Sequence, residues 1–265
     1  MNLVLDQSLS SGYTSGTQIA RRVTEDWMEH NMFCPICGHC KVRRFGNNTP
    51  VGDFYCEHCN EEFELKSKRG NHNHFGSTIA DGAYGTMISR ISSLRNPHLF
   101  LMLHENWTVN TLLMVPKFLF SPRIIKKRPA LGPNARRAGW VGCNIAIGEI
   151  PDSGKIHIVQ EGRPSPVKKV MAQYRRTLSL KTGRVETRGW LFDVLRCIES
   201  LSSDIFTIND VYGFANILQQ QYPGNRFVRP KIRQQLQRLR DRGFIAFLGH
   251  GVYKKTPQLL TVPVT

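Results

Sequence analysis

Two pairs of cysteines constrain the fold of this chain more than any other feature of its sequence. They form the motifs CPIC (34–37) and CEHC (56–59), with a spacing typical of a zinc ribbon. Two thiolates on one tight turn can both reach one ion, and two such turns complete a tetrahedron. We therefore predict a closed, structural Zn²⁺ site with the ligands Cys34, Cys37, Cys56 and Cys59.

Other interpretations of the cysteines use less of the pattern. A redox pair requires only one C-x-x-C motif, and Cys40 is an alternative ligand to Cys37. His58 lies inside the second motif, but four thiolates already complete the tetrahedron, so we expect this histidine at the surface. Cys143 and Cys197 lie in apolar runs and are predicted to be core residues.

Charge and hydropathy narrow the classes of function. The chain has 265 residues, 40% of them hydrophobic, and a net charge of +16 from 36 Lys and Arg against 20 Asp and Glu. Such an excess suits a polyanion, and nucleic acid is the usual one. A membrane partner would require a basic amphipathic helix, an anchor or a run of about 18 apolar residues, and we find none of these. The N-terminus lacks the pattern of a secretory signal, so we expect a cytoplasmic protein.

A second constellation overlaps the cysteine motifs. Asp53 precedes the second motif, and Glu64-Leu65-Lys66 follows it. Residues i and i+2 of a strand point to the same side, so Glu64 and Lys66 converge while Leu65 faces the core. Asp53, on the neighbouring strand of a hairpin, adds a second carboxylate to this set.

These residue types suit the hydrolysis of a phosphodiester. The carboxylates of Asp53 and Glu64, with the backbone carbonyl of Leu65, are the predicted ligands of Mg²⁺. The ion would stabilise charge on the phosphate and activate a water molecule, which Lys66 would hold. The same pattern alone also fits a solvated strand edge. The zinc motif inside the Asp53–Glu64 interval and the charge of +16 favour catalysis.

The first 180 residues have a mixed α/β pattern. One helix is predicted over 17–30, and a second from a cap at Ser77 or Thr78 through Ala80 and Ala83 to Leu94. Strands are predicted over 51–55, 62–67, 98–105, 107–115 and 156–162. The basic, Pro-rich stretch 122–140 has no periodicity and is predicted to be a functional loop or surface.

The remaining residues have the pattern of a winged helix. After a polar, basic linker at 181–188, three apolar stripes predict three helices. The stripes are Leu191, Val194, Leu195 and Ile198; Val211, Phe214, Ala215 and Leu218; and Ile232, Leu236 and Leu239. Pro230 suits the first position of the third helix. FIAFL (244–248) and VYKK (252–255) flank a Gly-His-Gly turn and predict a hairpin.

Several of these segments together resemble a known family. The run DFYCEHCNEEFELKSKRGN (53–71), with CPIC upstream and ARRAGW (135–140) and KIRQQLQRLRD (231–241) downstream, closely resembles the methyl-directed DpnI-type restriction endonucleases, the Dam-replacing family. The likeness covers nearly the whole chain. It departs from the family in a longer loop at 71–76 with His72 and His74, in the tail after Lys255, and in Pro50, which lies three residues before Asp53.

The resemblance implies a PD-(D/E)xK nuclease core with an embedded Cys₄ zinc site, followed by a winged-helix domain. It implies Mg²⁺-dependent cleavage of double-stranded DNA at GATC sites that carry N6-methyladenine. On the family's positions, Asp53, Glu64 and Lys66 are the catalytic residues, the four cysteines are the zinc ligands, and Trp140 lies against the methylated adenines.

Other residues are candidates for contacts with DNA. The indole of Trp140 offers an apolar surface to a methyl group in the major groove, although it also suits core packing beside Val141. The third C-terminal helix carries candidates for base and phosphate contacts, which also suit a solvated face. They are Lys231, Arg233, Gln234, Gln235, Arg238 and Arg240. Candidates for sequence-independent phosphate contacts are Lys126, Lys127, Arg128, Arg136 and Arg137.

We therefore predict a nuclease domain over 1–180, a linker over 181–188, and a winged-helix domain with a tail over 189–265. The predicted partner is double-stranded DNA with methylated GATC. We expect no membrane and no obligate protein partner, and action as a monomer or a transient dimer. The alternative is a non-catalytic zinc and winged-helix DNA-binding regulator, which would not need Asp53, Glu64 and Lys66.

Overall fold

The computed structural model describes residues 1–46, 52–70, 75–93, 96–181 and 185–257, the last range without the side chains of 185–187. Some sequence predictions fall outside these ranges. They concern Pro50 and the start of strand 51–55, His72 and His74, the helix end at Leu94, linker residues 182–184, and the tail beyond 257. Within the described ranges, no helix combines the length and the apolar character needed to cross a bilayer.

A seven-stranded sheet forms the centre of the N-terminal part. Its strands are β1 (Arg43–Arg44), β2 (Phe54–Tyr55), β3 (Glu62–Arg69), β5 (His98–Glu105), β6 (Thr108–Val115), β9 (Ile156–Gln160) and β10 (Arg163–Pro164). They lie in the order β1-β2-β3-β5-β6-β9-β10, with β3 and β5 parallel and the other neighbours antiparallel. All of β5 except its last residue is buried, as expected for a strand covered on both faces.

Two helices pack on this sheet. Helix α1 (Gly16–Asn31) contacts β3 and buries Val23, Trp27 and Met28, which confirms the predicted helix over 17–30. Helix α3 (Val167–Thr177) contacts β9 and buries Val170 and Tyr174. The β3 strand, which carries Glu64 and Lys66, is therefore held between β2, β5 and α1.

A second, three-stranded sheet corrects two predictions. It contains β4 (Ile79–Ala83), β7 (Ile125–Ala130) and β8 (Val141–Ile145), in the antiparallel order β4-β8-β7. The helix predicted from Ser77 or Thr78 is wrong over 79–83, since helix α2 spans only Tyr84–Ser92. Gly82 is a poor helix former, and pairing with β8 gives these residues a strand partner instead. The stretch 122–140, predicted to be irregular, contributes β7 because the same strand β8 pairs with it.

The C-terminal part is a winged helix. Its elements are α4 (Val185–Glu199), β11 (Ile205–Thr207), α5 (Ile208–Tyr212), α6 (Ala215–Gln221), α7 (Val228–Asp241), β12 (Ile245–Gly249) and β13 (Val252–Lys255). The hairpin is confirmed as β12 and β13, and β11 pairs with β13 as a third strand.

Three details of the winged helix differ from the sequence prediction or refine it. The second predicted helix is two short helices, because α5 ends at Tyr212 and α6 begins at Ala215. Pro230 is the third residue of α7, not its first; it still lies in the first turn, where a missing N–H breaks no helical hydrogen bond. Helix α4 begins at Val185, inside the predicted linker. The predicted fold class, a mixed α/β core followed by a winged helix, is confirmed.

Candidate active site and metal centre

Four thiols converge from two turns, one before β1 and one between β2 and β3. The sulfur atoms of Cys34, Cys37, Cys56 and Cys59 all lie within 4.8 Å of one another. The Sγ atoms of Cys34 and Cys59 are 3.6 Å apart, as are those of Cys37 and Cys56. Four thiolates at about 2.3 Å from a tetrahedral Zn²⁺ would be about 3.8 Å apart, so the donor set and its spacing fit zinc. Exposed Cys40 is not part of this group.

The two cysteine turns repeat one local structure. The N–H of Gly38 donates to the carbonyl of Cys34, and the N–H of Asn60 donates to the carbonyl of Cys56, each at 2.9 Å. Gly38 and Asn60 both have positive φ, +78° and +57°, a conformation that Gly and Asn adopt most readily. His58 is exposed, as predicted, and stacks on His39. Each motif therefore specifies its own turn from local sequence alone.

Asp53, Glu64 and Lys66 meet on the hairpin that the second turn closes. Asp53 immediately precedes β2, and its Oδ2 accepts a hydrogen bond from the N–H of Leu65 at 2.7 Å. Lys66 Nζ lies 2.6 Å from Glu64 Oε1, as the i, i+2 spacing on β3 predicts. Leu65 is partly buried and packs against the core. The three predicted side chains are thus brought together around Leu65, within β3.

Asp81 is a fourth member of this group that sequence reasoning missed. Its Oδ1 lies 2.7 Å from Lys66 Nζ, and its side chain is only 5% exposed. The residue lies on β4, which was predicted to be helical, so its carboxylate was not associated with Glu64 and Lys66. The Asp81-Gly82 pair after β-branched Ile79 was the available signal against a helix.

Burial and charge make the group a strong site for a cation. Burial raises the pKa of Glu64, with Asp81 and Asp53 adding to the shift and Lys66 opposing it. Burial disfavours the ammonium of Lys66, but the carboxylates of Glu64 and Asp81 outweigh it and raise the pKa of this lysine. Three carboxylates against one ammonium give an excess of negative charge when all four are ionised. A divalent cation would relieve this excess.

Glu61, just before β3, makes two charged contacts beside the candidate site. It is paired with Lys117 Nζ at 2.5 Å and with the buried ring of His98 at 3.3 Å. The contact with His98 and the hydrogen-bonded pair with Lys117 lower the pKa of Glu61 to about 2, against its partial burial. This carboxylate therefore anchors the start of β3 to β5 and to the residues after β6.

Trp140 lies immediately before β8 and is half-buried, not a core residue. A Cβ at position 142 would lie 2.8 Å from its ring atoms Cζ3 and Cη2, so the indole rests on Gly142. The guanidinium of Arg137 lies 5.0 Å from the ring centre. Arg136, Lys126 and Lys127 are exposed and Arg128 is half-buried, so the cationic side chains predicted for phosphate contacts surround this loop and β7.

Helix α7 divides its polar residues between two faces. Arg233, Gln234 and Arg240 are exposed, and Lys231 and Arg238 are half-buried. Gln235 is fully buried, so its prediction as a base-contacting residue is wrong. It lies three residues after Ile232 and one before Leu236, which puts it on the apolar stripe of the helix. Arg233 donates to the hydroxyl of Tyr212 and, with Arg229, stacks on its ring.

Comparison with known families covers both parts of the chain. The model of the Dam-replacing family matches residues 1–183. The model of the Dam-replacing HTH domain matches residues 186–255. The two matches follow each other in the order of the central sheet and the winged helix.

Proposed function

Because this chain belongs to the Dam-replacing family, we propose that it cleaves double-stranded DNA at GATC sites that carry N6-methyladenine. The reaction is Mg²⁺-dependent hydrolysis of phosphodiesters. The observation that carries the proposal is the convergence of Asp53, Glu64 and Lys66 on one hairpin. The family implies a nuclease, and Asp53, Glu64 and Lys66 are its proposed catalytic residues.

The chemistry follows from the residues of the hairpin. The carboxylates of Asp53 and Glu64 and the carbonyl of Leu65 would hold Mg²⁺, and the bound ion would supply charge stabilisation at the phosphate and a water of lowered pKa. Lys66 stays protonated beside two carboxylates and donates to the attacking water or to a phosphate oxygen. Burial of Glu64 and Asp81 around the lysine limits water access and strengthens these interactions.

DNA recognition is divided between two domains in this proposal. Residues 1–180 form the nuclease domain, in which Trp140 contacts the methyl group and Arg136 and Arg137 contact phosphates. The winged helix follows it and, where the structure describes it, comprises α4 to β13 (Val185–Lys255). Its α7 contacts DNA through Lys231, Arg233, Gln234 and Arg238.

The energy of methyl reading limits how discrimination works. One methyl group on an apolar surface is worth about 1 kcal/mol or less, under tenfold in affinity. A strong preference therefore requires that both methylated strands are read, or that two domains each read a methyl group. A single centre per chain also cuts one strand at a time, so a double-strand break needs two successive events or a transient dimer.

The test uses one plasmid prepared with and without adenine methylation at GATC. Purified protein with Mg²⁺ is expected to give discrete fragments from the methylated plasmid only. Asp53→Ala is expected to bind this DNA without cutting it, while Asp26→Asn, on α1, serves as the control variant that cuts normally. Equal digestion of both plasmids would disprove methyl reading. Binding without cutting in any divalent metal would instead support the non-catalytic regulator.

A further inference from the structure

Asp81 reaches the candidate active site from a different sheet. It lies on β4, opposite Cys143 of β8, whereas Glu64 and Lys66 lie on β3 of the seven-stranded sheet. The pairing of β4 with β8 shifts register between Asp81 and Ala83, a bulge of the kind that redirects a side chain next to a functional site. The Cys143 thiol donates to the carbonyl of Gly82 at 3.5 Å and fixes this point of the bulge.

Lys66 is held from two sides. Its Nζ is 2.6 Å from Glu64 Oε1 and 2.7 Å from Asp81 Oδ1, and the Asp81 side chain is almost fully buried. A lysine has a flexible four-carbon stem, so the position of its ammonium depends on its partners. Glu64 is also the proposed ligand of Mg²⁺, and its oxygens are drawn toward the ion when the ion binds. Asp81, in contrast to Glu64, is a partner of Lys66 that is not a proposed ligand of Mg²⁺.

We propose that Asp81 is a positioning residue that holds the Lys66 ammonium in place for phosphodiester hydrolysis when Glu64 engages the metal. The inference rests on the proposed nuclease function. It assigns Asp81 to the lysine and not to the metal. The only group of three or more potential ligands within 4.8 Å of one another, among the residues described, is the set of four cysteines. Asp81 therefore does not form one close ligand cluster with both Asp53 and Glu64.

The experiment compares Asp81→Asn, which keeps the shape and removes the charge, with wild-type protein. Single-turnover cleavage of a methylated GATC duplex is measured across Mg²⁺ concentrations, and duplex affinity is measured without Mg²⁺. We expect the cleavage rate to fall by about tenfold or more, because a misplaced catalytic group loses most of its effect. Duplex affinity and the Mg²⁺ concentration for half-maximal rate are expected to change by less than about threefold, which is under 1 kcal/mol.

Two further variants make the result specific. Asp152→Asn removes another Asp–Lys pair, with Lys155 at 2.6 Å, that is exposed and outside the site, and it is expected to cut at the wild-type rate. If Asp81→Asn loses zinc or unfolds, Asp81→Glu and Asp81→Gln are compared, since they differ in charge but not in size. Faster cleavage by the Glu variant supports the proposal, and equal rates overturn it.

The outcomes separate this inference from the function on which it rests. If wild-type protein cuts neither methylated nor unmethylated DNA, the proposed function fails and the inference fails with it. If wild-type protein cuts and Asp81→Asn cuts equally fast, only the role of Asp81 is wrong. A large rise in the Mg²⁺ requirement of Asp81→Asn would also overturn it, because Asp81 would then be a metal ligand.

Discussion

At the scale of single residues, the position of the Trp140 indole requires that residue 142 has no side chain. The ring lies where a Cβ would be, and Gly142 itself pairs with Ala83 across β4 and β8. The indole thereby lies against a strand whose other residues pair with β4 and β7. The surface that is proposed to contact a methyl group is thus built on the sheet that carries Asp81.

Gly142→Ala is expected to displace the indole and to reduce the preference for methylated DNA. The expected loss is less than about tenfold per methyl group, since one buried methyl is worth about 0.8 kcal/mol. The ratio of affinities for methylated and unmethylated duplexes measures it. Gly132→Ala is the matched control in the same loop, because a Cβ there meets no atom within 4 Å. Equal ratios for the two variants would contradict the role of Gly142.

Glu61 should make stability depend on pH in the acidic range. Its pKa is lowered from 4.5 to about 2, so its stabilising effect is complete above about pH 4.5 and is lost as the pH falls toward 2. Glu61→Gln is expected to reduce the free energy of unfolding at pH 7 by about 2 kcal/mol, a value discounted for partial exposure.

The measurement is the thermal midpoint of wild-type protein and of Glu61→Gln at pH 7 and at pH 3. The difference between the two proteins should be clearly smaller at pH 3, where wild-type Glu61 has lost much of its effect. The adjacent Glu62→Gln serves as the control. A difference independent of pH would show that the Glu61 pairs with Lys117 and His98 contribute little.

At the scale of elements, the hairpin of β2 and β3 is short and is closed by the second cysteine turn. Strand β2 has only two residues, and the second cysteine turn connects it to β3. Asp53 lies at one end of this hairpin, where its N–H donates to the carbonyl of Phe63 and its carboxylate accepts from Leu65. Zn²⁺ bound by the cysteines of this turn would therefore also position the carboxylate of Asp53.

Removal of a zinc ligand should abolish cleavage without touching the proposed catalytic residues. Cys56→Ser is expected to lose bound zinc and to expose the amides of β2 and β3 to hydrogen exchange, because structural zinc supplies folding energy. Zinc content, hydrogen exchange and cleavage are measured on the same preparation. Cys40→Ser, an exposed cysteine outside the cluster, is expected to behave as wild type. Full activity of zinc-free protein would refute the structural role of the turn.

Helix α7 gives a second test at this scale, because it carries both an exposed polar residue, Arg233, and a buried one, Gln235. Arg233→Ala is expected to weaken DNA binding while the free energy of unfolding changes by no more than about 0.5 kcal/mol. Gln235→Ala is expected to lower stability by about 1–3 kcal/mol, since it removes a buried side chain, and to leave sequence preference unchanged. Duplex affinity and thermal unfolding of both variants provide the comparison. If Gln235→Ala loses its sequence preference, Gln235 contacts a base after all.

At the scale of the whole molecule, buried charges connect the two parts. Asp193 on α4 is 3% exposed and pairs with Arg123, which lies just before β7; Tyr222 donates to its other oxygen. The carboxylate of Glu199, at the end of α4, accepts from the N–H groups of Asp152 and Ser153 at 2.9 and 3.0 Å. Helix α4 is therefore fixed to the N-terminal part at both of these points.

Arg123→Met should destabilise the protein by about 3 kcal/mol, because it leaves the buried carboxylate of Asp193 without its closest cation. The thermal midpoint and the denaturant midpoint report the loss. Lys155→Met is the matched control, since its partner Asp152 is 61% exposed and such pairs are worth about 1 kcal/mol or less. Similar effects of the two variants would show that the Asp193 pair does not hold the parts together.

The sequence by itself determined the features that short spacings encode. Each cysteine turn needs only two cysteines and a residue that tolerates positive φ within five positions. Glu64 and Lys66 lie on the same side because a strand has a period of two. The stripe of Ile232, Leu236 and Leu239 likewise predicts α7 from its helical period. The resemblance to a family implied the same site residues. The family matches confirm that the chain belongs to this family.

Only the tertiary structure decided the contacts between distant segments. Glu61 meets Lys117 across 56 positions and Arg123 meets Asp193 across 70, and no local period relates such residues. The sequence predicted a helix at Asp81, but its segment pairs with β8 and forms a strand. The sequence also predicted a DNA contact for Gln235, but this side chain is buried in the core. Burial of the whole core decides which strands pair and which face of a helix points inward. The spacing of residues along the chain does not specify either.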